Sequence, residues 1–299
     1  MRHLKLTYRS VFLSDLHLGS GTSMAEQAAD FLKAVECDTL YLVGDIVDMW
    51  RLKSRWRWPD CHHRFARRVL KMAQKGTRVV YIPGNHDDAA RQYEGLNFGG
   101  IVLQREAIHT TADRQRLLVM HGDEVDLIVK HARLLSVIGG AAYDRLVHVS
   151  RWYNRYRRLR GKPYWSLSHA IKLKVKSACK HIARFESAIE KIARERGVDG
   201  VVCGHIHKAE IRRGASGLPD YFNCGDWVES GTALVEHDDG TMQIVDGIAL
   251  VERQRELQGG SLSFADDADQ LLLPGFAKSA DVAPIDGPTV RERGSMFTR

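Results

Sequence analysis

The chain of 299 residues carries a formal net charge of +7 and can bury a sizeable core, as one large domain or one domain with an inserted cap. No apolar run is long enough to cross a bilayer, and Ser14 and Asp15 break the run Val11–Leu13 too early for a secretory signal, so a cytoplasmic location is expected. The odd set of cysteines, Cys37, Cys61, Cys179, Cys203 and Cys224, has no tight pairing and argues against a disulfide framework; none is assigned a catalytic role.

The predicted elements alternate from the start. Val11 to Leu13 is a short strand that stops at Asp15-Leu16-His17. Met24 to Val35 has helical spacing. Thr39 to Val43 is a second strand and ends at Gly44-Asp45-Ile46-Val47-Asp48. Arg64 to Lys75 is helical, with Gly76 as its stop. Arg78 to Ile82 is a third strand, followed by Gly84-Asn85-His86-Asp87. This β-α-β-α-β punctuation predicts an α/β fold with parallel strands. Arg116 to Met120 ends at His121-Gly122-Asp123, and Gly200 to Cys203 ends at Gly204-His205-Ile206-His207. Thr232 to Glu236 and Thr241 to Val245 flank Asp238-Asp239-Gly240, a hairpin signal.

The middle of the chain differs. Residues 124–197 read as a helical cap inserted into a core made of 1–123 and 198–255. Between Arg145 and Arg184 there are twelve Lys or Arg and no Asp or Glu. Such a block suits an anionic partner: nucleic acid, an acidic membrane surface or a phosphorylated substrate. Leu134, Leu135, Tyr143, Trp152 and Trp165 add apolar surface to the same segment. Residues 256–299 are rich in Gly, Ser, Ala, Asp and Pro and read as a disordered tail.

The strand-end motifs carry the chemistry. Two adjacent divalent cations need one carboxylate able to bridge them, and further imidazole and oxygen donors that leave positions open. Asp45 is the natural bridge. Asp15, His17 and His207 complete one ion; Asn85, His121 and His205 complete the other. Mixed N/O ligation without thiolate suits Mn, Fe or Zn better than Ca. His86 is expected to contact the scissile phosphate and protonate or stabilise the leaving oxygen, with Asp87 orienting it. Asp48 and Asp123 are read as partners that orient ligand histidines or loop amides, Asp48 equally as a helix cap.

These residues resemble those of the calcineurin-like metallophosphoesterase superfamily, over roughly Val11 to Val251. The resemblance implies a four-layer α-β-β-α sandwich with a dimetal site at the sheet edges. Within the superfamily, Asp15-Leu16-His17-Leu18, the spacing to Gly44-Asp45 and Gly84-Asn85, the insertion after His121-Gly122-Asp123 and the segment Gly225-Asp226-Trp227-Val228-Glu229-Ser230-Gly231 are similar to the UDP-2,3-diacylglucosamine pyrophosphatase group of lipid A biosynthesis. That group implies Mn as cofactor and hydrolysis of a UDP-linked acylated sugar to UMP and an acylated sugar 1-phosphate. The best-known members carry Arg where this chain has His86.

A UDP-lipid is an anion with an apolar end, and the basic, aromatic-rich segment suits both that substrate and peripheral contact with an anionic inner-membrane surface. Arg51, Arg55 and Arg57 alternate with Trp50, Trp56 and Trp58 after the bridging aspartate, either as a substrate contact or as packing under the loop. A nuclease or cyclic-nucleotide phosphodiesterase would use the same metals and would also favour basic, aromatic surface. A metal-free binding scaffold is the remaining alternative.

Overall fold

The computed structural model describes residues 5–125, 185–215 and 217–259. It divides into two compact units, Met1–Gly122 with Ile192–Arg299, and Asp123–Lys191. The basic block from Arg145 to Arg184 lies outside the described residues, as does all of the expected tail from residue 260 onward.

The first unit is built on two mixed sheets. The larger has seven strands in the order β12-β11-β1-β2-β3-β5-β4. Its centre is parallel: β1 (Leu6–Leu13), β2 (Val35–Val43), β3 (Arg78–Ile82) and β5 (Ile101–Leu103). The hairpin β11 (Thr232–Glu236) and β12 (Met242–Asp246) joins antiparallel through β1, and β4 (Asn97–Phe98) closes the other edge antiparallel to β5. The smaller sheet has five strands in the order β6-β7-β8-β10-β9. Within it β7 (Arg116–Val119), β8 (Gly200–Cys203) and β10 (Asp220–Asn223) run parallel, with β6 (Ala107–Thr110) and β9 (Glu210–Arg212) antiparallel at the edges.

Side-chain alternation explains the stacking. Val11, Leu13, Leu40, Leu42, Val79, Ala233 and Val235 face one core, shared with helices. Phe12, Tyr41, Val43, Val80, Ile82 and Leu234 face the other, where they meet Leu117, Val119, Val202 and Phe222 of the smaller sheet. Strands buried on both faces read as unbroken apolar runs, which is how these strands are recognisable in the sequence.

The helices cover the first core. In α1 (Ala25–Ala34), Ala25, Ala28, Phe31 and Leu32 are buried. The short α2 (Met49–Ser54) is capped by Asp48, whose side chain accepts from Arg51 N. In α3 (Asp60–Gln74), His62, Phe65, Val69 and Met72 form one buried stripe, and Gly76 follows it at a φ of 97°. Residues 185–196 are helical (α4). The last helix, α5 (Gly247–Gly259), starts where Asp246 Oδ1 accepts from the amides of Ile248 and Ala249.

Among the described residues of the core the expected elements are present, with differences at their ends. β1 and β2 begin earlier than the apolar runs, and α3 begins at Asp60 rather than Arg64. The sheet is mixed rather than all-parallel, because the late hairpin adds to its edge. The strands β4, β5 and β9, of two or three residues, are too short to show a period in the sequence. Helix α5 reaches Gly259, past the expected start of the tail at 256.

Candidate metal centre

The loops after β1, β2, β3, β7 and β8 place their side chains in one cluster. Asp15, His17 and His207 bring ligand-type atoms within 4.8 Å of one another, as do His17, Asp45 and His86, and again Asp45, His121 and His205. The groups are continuous, because His17 and Asp45 are shared between them. Asp15 is fully buried and Asp45 nearly so.

The backbone does this under strain. Six non-glycine residues among those described have positive φ, and five of them are Asp15, His17, Asp45, His205 and His207, with φ from 49° to 71°. Left-handed backbone is disfavoured for L-residues and collects at functional sites. Here each such residue follows a strand directly or after a short step, so the turn directs its side chain back across the sheet edge. Glycines make the remaining room. A Cβ on Gly84 would overlap Asp45 Oδ1 and the His121 ring, and one on Gly204 would overlap Asp15 Oδ2 and Ser14.

The loops are tied to each other by their backbones. Asp15 N donates to Gly44 O at 3.1 Å and His17 N to Asp45 O at 2.9 Å. His205 N donates to Asp15 Oδ2 at 2.9 Å, and His86 N to Asp45 Oδ1 at 2.7 Å. His121 Nδ1 lies 3.0 Å from the Val43 carbonyl, a contact that fixes the ring with its lone pair on Nε2, which lies 3.4 Å from Asp45 Oδ2.

Burial alone would push the Asp15 and Asp45 carboxyls up. The histidines outweigh it: His207 holds Asp15 below the ordinary carboxylate range, and His121, His17 and His86 hold Asp45 well below it. Burial pulls His207 down, but its Nε2, 3.1 Å from Asp15 Oδ1, is pushed up to about 9 by that carboxylate. Two buried carboxylates kept ionised among imidazoles make a pocket that suits a divalent cation.

Among the described residues Asp15 Oδ1, His17 Nε2 and Asn85 Oδ1 are buried and make no hydrogen bond, Asp15 Oδ1 having instead its ion pair with His207. Desolvated donors and acceptors left this way are costly, and three of them on expected ligands fit a bound cation. The donor set, oxygen and nitrogen without sulfur, suits divalent metals of the Mn, Fe or Zn kind.

Asp87, expected beside His86, has its carboxylate accept from the amides of Gly84, Ile46 (2.8 Å) and Val47 (3.1 Å) and from the Tyr81 hydroxyl. It clamps the Gly44–Val47 loop against β3, and burial beside Asp45 pushes its carboxyl up. Asp48 is the residue beside His86, with Oδ1 3.1 Å from Nδ1, an ion-pair distance although the ring is not turned to form a hydrogen bond. Its other oxygen lies 3.8 Å from His17 Nδ1. Asp48 is therefore both a helix cap and a neighbour of two site histidines. Asp123 opens the 3-10 turn Asp123–Val125 in the second unit. Trp50, one of the loop tryptophans open to either substrate contact or packing, has its ring centroid 3.9 Å from that of His86. Its place two residues after Asp48 is the available signal.

Buried Asp and His clusters at the carboxyl ends of strands, between two mixed sheets flanked by helices, define a metal-dependent phosphoesterase, a hydrolase that works with divalent ions. The chain belongs to the calcineurin-like phosphoesterase family, whose model matches residues 8–209. Curated relatives include UDP-2,3-diacylglucosamine hydrolases. The one from Aeromonas salmonicida is 26% identical over 242 residues, which cover 76% of this chain and 89% of the relative. The one from Nitrosococcus oceani is 27% identical over 258 residues, covering 83% and 98%. Among solved structures, a Vps29 variant from Entamoeba histolytica aligns over 79% of this chain and 96% of its own, with 14% identity and a TM-score of 0.37.

Proposed function

We propose that the protein hydrolyses the pyrophosphate of UDP-2,3-diacylglucosamine or a closely related UDP-lipid, giving UMP and an acylated sugar 1-phosphate in lipid A biosynthesis. The observation that carries the hydrolytic part is the continuous cluster joined through His17 and Asp45. The substrate part is supported by the activity for which the curated relatives are named, and those relatives cover most of this chain.

Asp15, His17, Asp45 and His207 would hold one divalent ion, and Asp45, Asn85, His121 and His205 the other, with Mn as the preferred metal. When bound, the ions supply charge stabilisation at phosphorus and acidify the attacking water. His86, half-buried at the rim, contacts the phosphate and delivers a proton to the leaving oxygen. Asp48 supplies a negative charge beside His86 Nδ1, and Asp87 keeps the loop bearing Asp45 in place. The sequence of 124–197, basic and rich in aromatic and apolar residues, suits the acyl chains and an anionic membrane surface. Among the described residues no helix is long and apolar enough to cross a membrane.

The test is a substrate panel with Mn: UDP-diacylglucosamine, bis-p-nitrophenyl phosphate and single-stranded DNA. Release of UMP from the first, with DNA left intact, is expected. Cleavage of DNA without UMP release would replace the lipid reading with the nuclease one.

A further inference from the structure

Directly after Asp48 the chain runs Met49-Trp50-Arg51-Leu52-Lys53-Ser54-Arg55-Trp56-Arg57-Trp58-Pro59, with no acidic residue before Asp60. The structure separates its three tryptophans. Trp50 lies on His86 at the metal cluster. Trp58 packs partly into the helix-covered core, donates Nε1 to His63 Nδ1 at 2.7 Å and meets His62 edge-on. Trp56 is 76% exposed, the highest value among the large apolar side chains described, and stacks on Trp58 with ring centroids 6.4 Å apart.

This shelf is fixed to the site. Leu52 sits over Gly19, where a side chain would overlap it, and the Arg57 guanidinium lies against Gly21. His62 Nδ1 accepts from Gly19 N at 3.1 Å. Both glycines belong to the loop that follows His17. Four helical steps and two extended ones separate Trp50 from Trp56, a reach of no more than roughly 13 Å. An exposed aromatic face, cations on either side of it and a phosphoester-cleaving centre at the other end of that short segment match one kind of ligand: an aromatic base joined to a phosphate.

We propose that Trp56 is the stacking surface for the nucleobase of the substrate, with Arg55 and Arg57 beside it drawing in the attached phosphate. This rests on the reading that the substrate is a nucleotide-linked lipid, and it names the face of the site that takes the nucleotide half. Base–aromatic stacking accepts any base, so the shelf selects nucleotides as a class.

The test compares UMP with ribose 5-phosphate, which has the phosphate and sugar without the base, as inhibitors of bis-p-nitrophenyl phosphate hydrolysis with Mn present. In the unmodified protein UMP is expected to inhibit about tenfold better, the value of one modest stack. In Trp56→Ala that preference falls to about twofold or less, and Trp56→Phe restores most of it. Quenching of tryptophan fluorescence by UMP gives the same comparison without turnover. Trp56 is exposed, so these variants keep the fold, which circular dichroism checks. Equal inhibition by the two ligands in the unmodified protein, or an undiminished preference in Trp56→Ala, overturns the proposal. Turnover of UDP-diacylglucosamine separates the two claims. Its absence alongside a Trp56-dependent UMP preference removes the lipid substrate and keeps the shelf. Its presence without any Trp56 effect removes the shelf and keeps the reaction.

Discussion

Asp48 and Asp87 sit in neighbouring loops as similar carboxylates with different tasks, and their hydrogen bonds tell them apart. Asp87 is consumed by backbone amides and the Tyr81 hydroxyl. Asp48 spends one bond on Arg51 N and stands beside His17 and His86. Those histidines hold its carboxyl below the usual range against the upward push of burial. Asp48→Asn keeps a good helix cap while removing the charge, so α2 stays in place. Its kcat is expected to fall about 10–100-fold with a displaced pH profile, the usual cost of disturbing a ligand's support. His86→Ala is expected to lower kcat by about 10²–10⁴-fold while metal content, read by mass spectrometry, stays the same. Loss of metal in His86→Ala would contradict its placement as an acid rather than a ligand.

Another buried acid carries stability. Glu236 is fully buried on β11 and accepts from Arg9 Nη1, from Ala112 N at 2.9 Å and from His109 Nε2 at 2.8 Å. His109 lies on β6, so the contact joins the two sheets. Burial pushes the Glu236 carboxyl up, but His109 and the other donors outweigh it and leave it below its ordinary value. A depressed carboxyl stabilises the fold fully above the unfolded value, about 4.3, and that stability is lost as pH falls through the folded value beneath it. Glu236→Gln should therefore cost about 2 kcal/mol at pH 7 and flatten the loss of Tm below about pH 4.3. An unchanged acid limb in a thermal-melt series would exclude this residue as its source.

At the scale of elements, each parallel strand ends in a sharp turn, and the turn rather than the strand selects the side chain. Gly84 shows why. It follows β3 and carries no strained φ, yet any Cβ there would meet Asp45 and His121. Gly84→Ala is expected to weaken metal affinity about 10–100-fold with circular dichroism unchanged, since what moves is a pair of ligands and not a strand. Retained affinity would show that the strand end can shift aside. Helix α2 belongs to the same logic: its six residues bury nothing of their own and are held by the Asp48 cap and the seat of Leu52 on Gly19.

For the molecule as a whole, the cluster concentrates buried charge where the two sheets' strands end, and a folded chain that pays this cost regains it by binding cations. Ions that bind only the folded state at a hundredfold excess over Kd add about 2.7 kcal/mol. For a core of this size that is a rise of about 5–10 °C in Tm on adding Mn after chelation. A melt that ignores both chelator and metal would argue for a scaffold without bound ions.

The sequence by itself determined the strands buried on both faces, the helices between them and the motifs at their ends, because continuous apolar runs and their stops are local features. It also supplied the residues of the cluster, since Asp and His at successive strand ends leave few other uses. Only the tertiary structure decided which carboxylate meets which histidine. Asp87 is adjacent to His86 in the chain yet turns under the loop, while Asp48 reaches it across a turn. The short edge strands, the mixed sheet and the separate fates of Trp50, Trp56 and Trp58 were equally hidden. Each depends on what packs from elsewhere in the chain, and neither periodicity nor spacing records that.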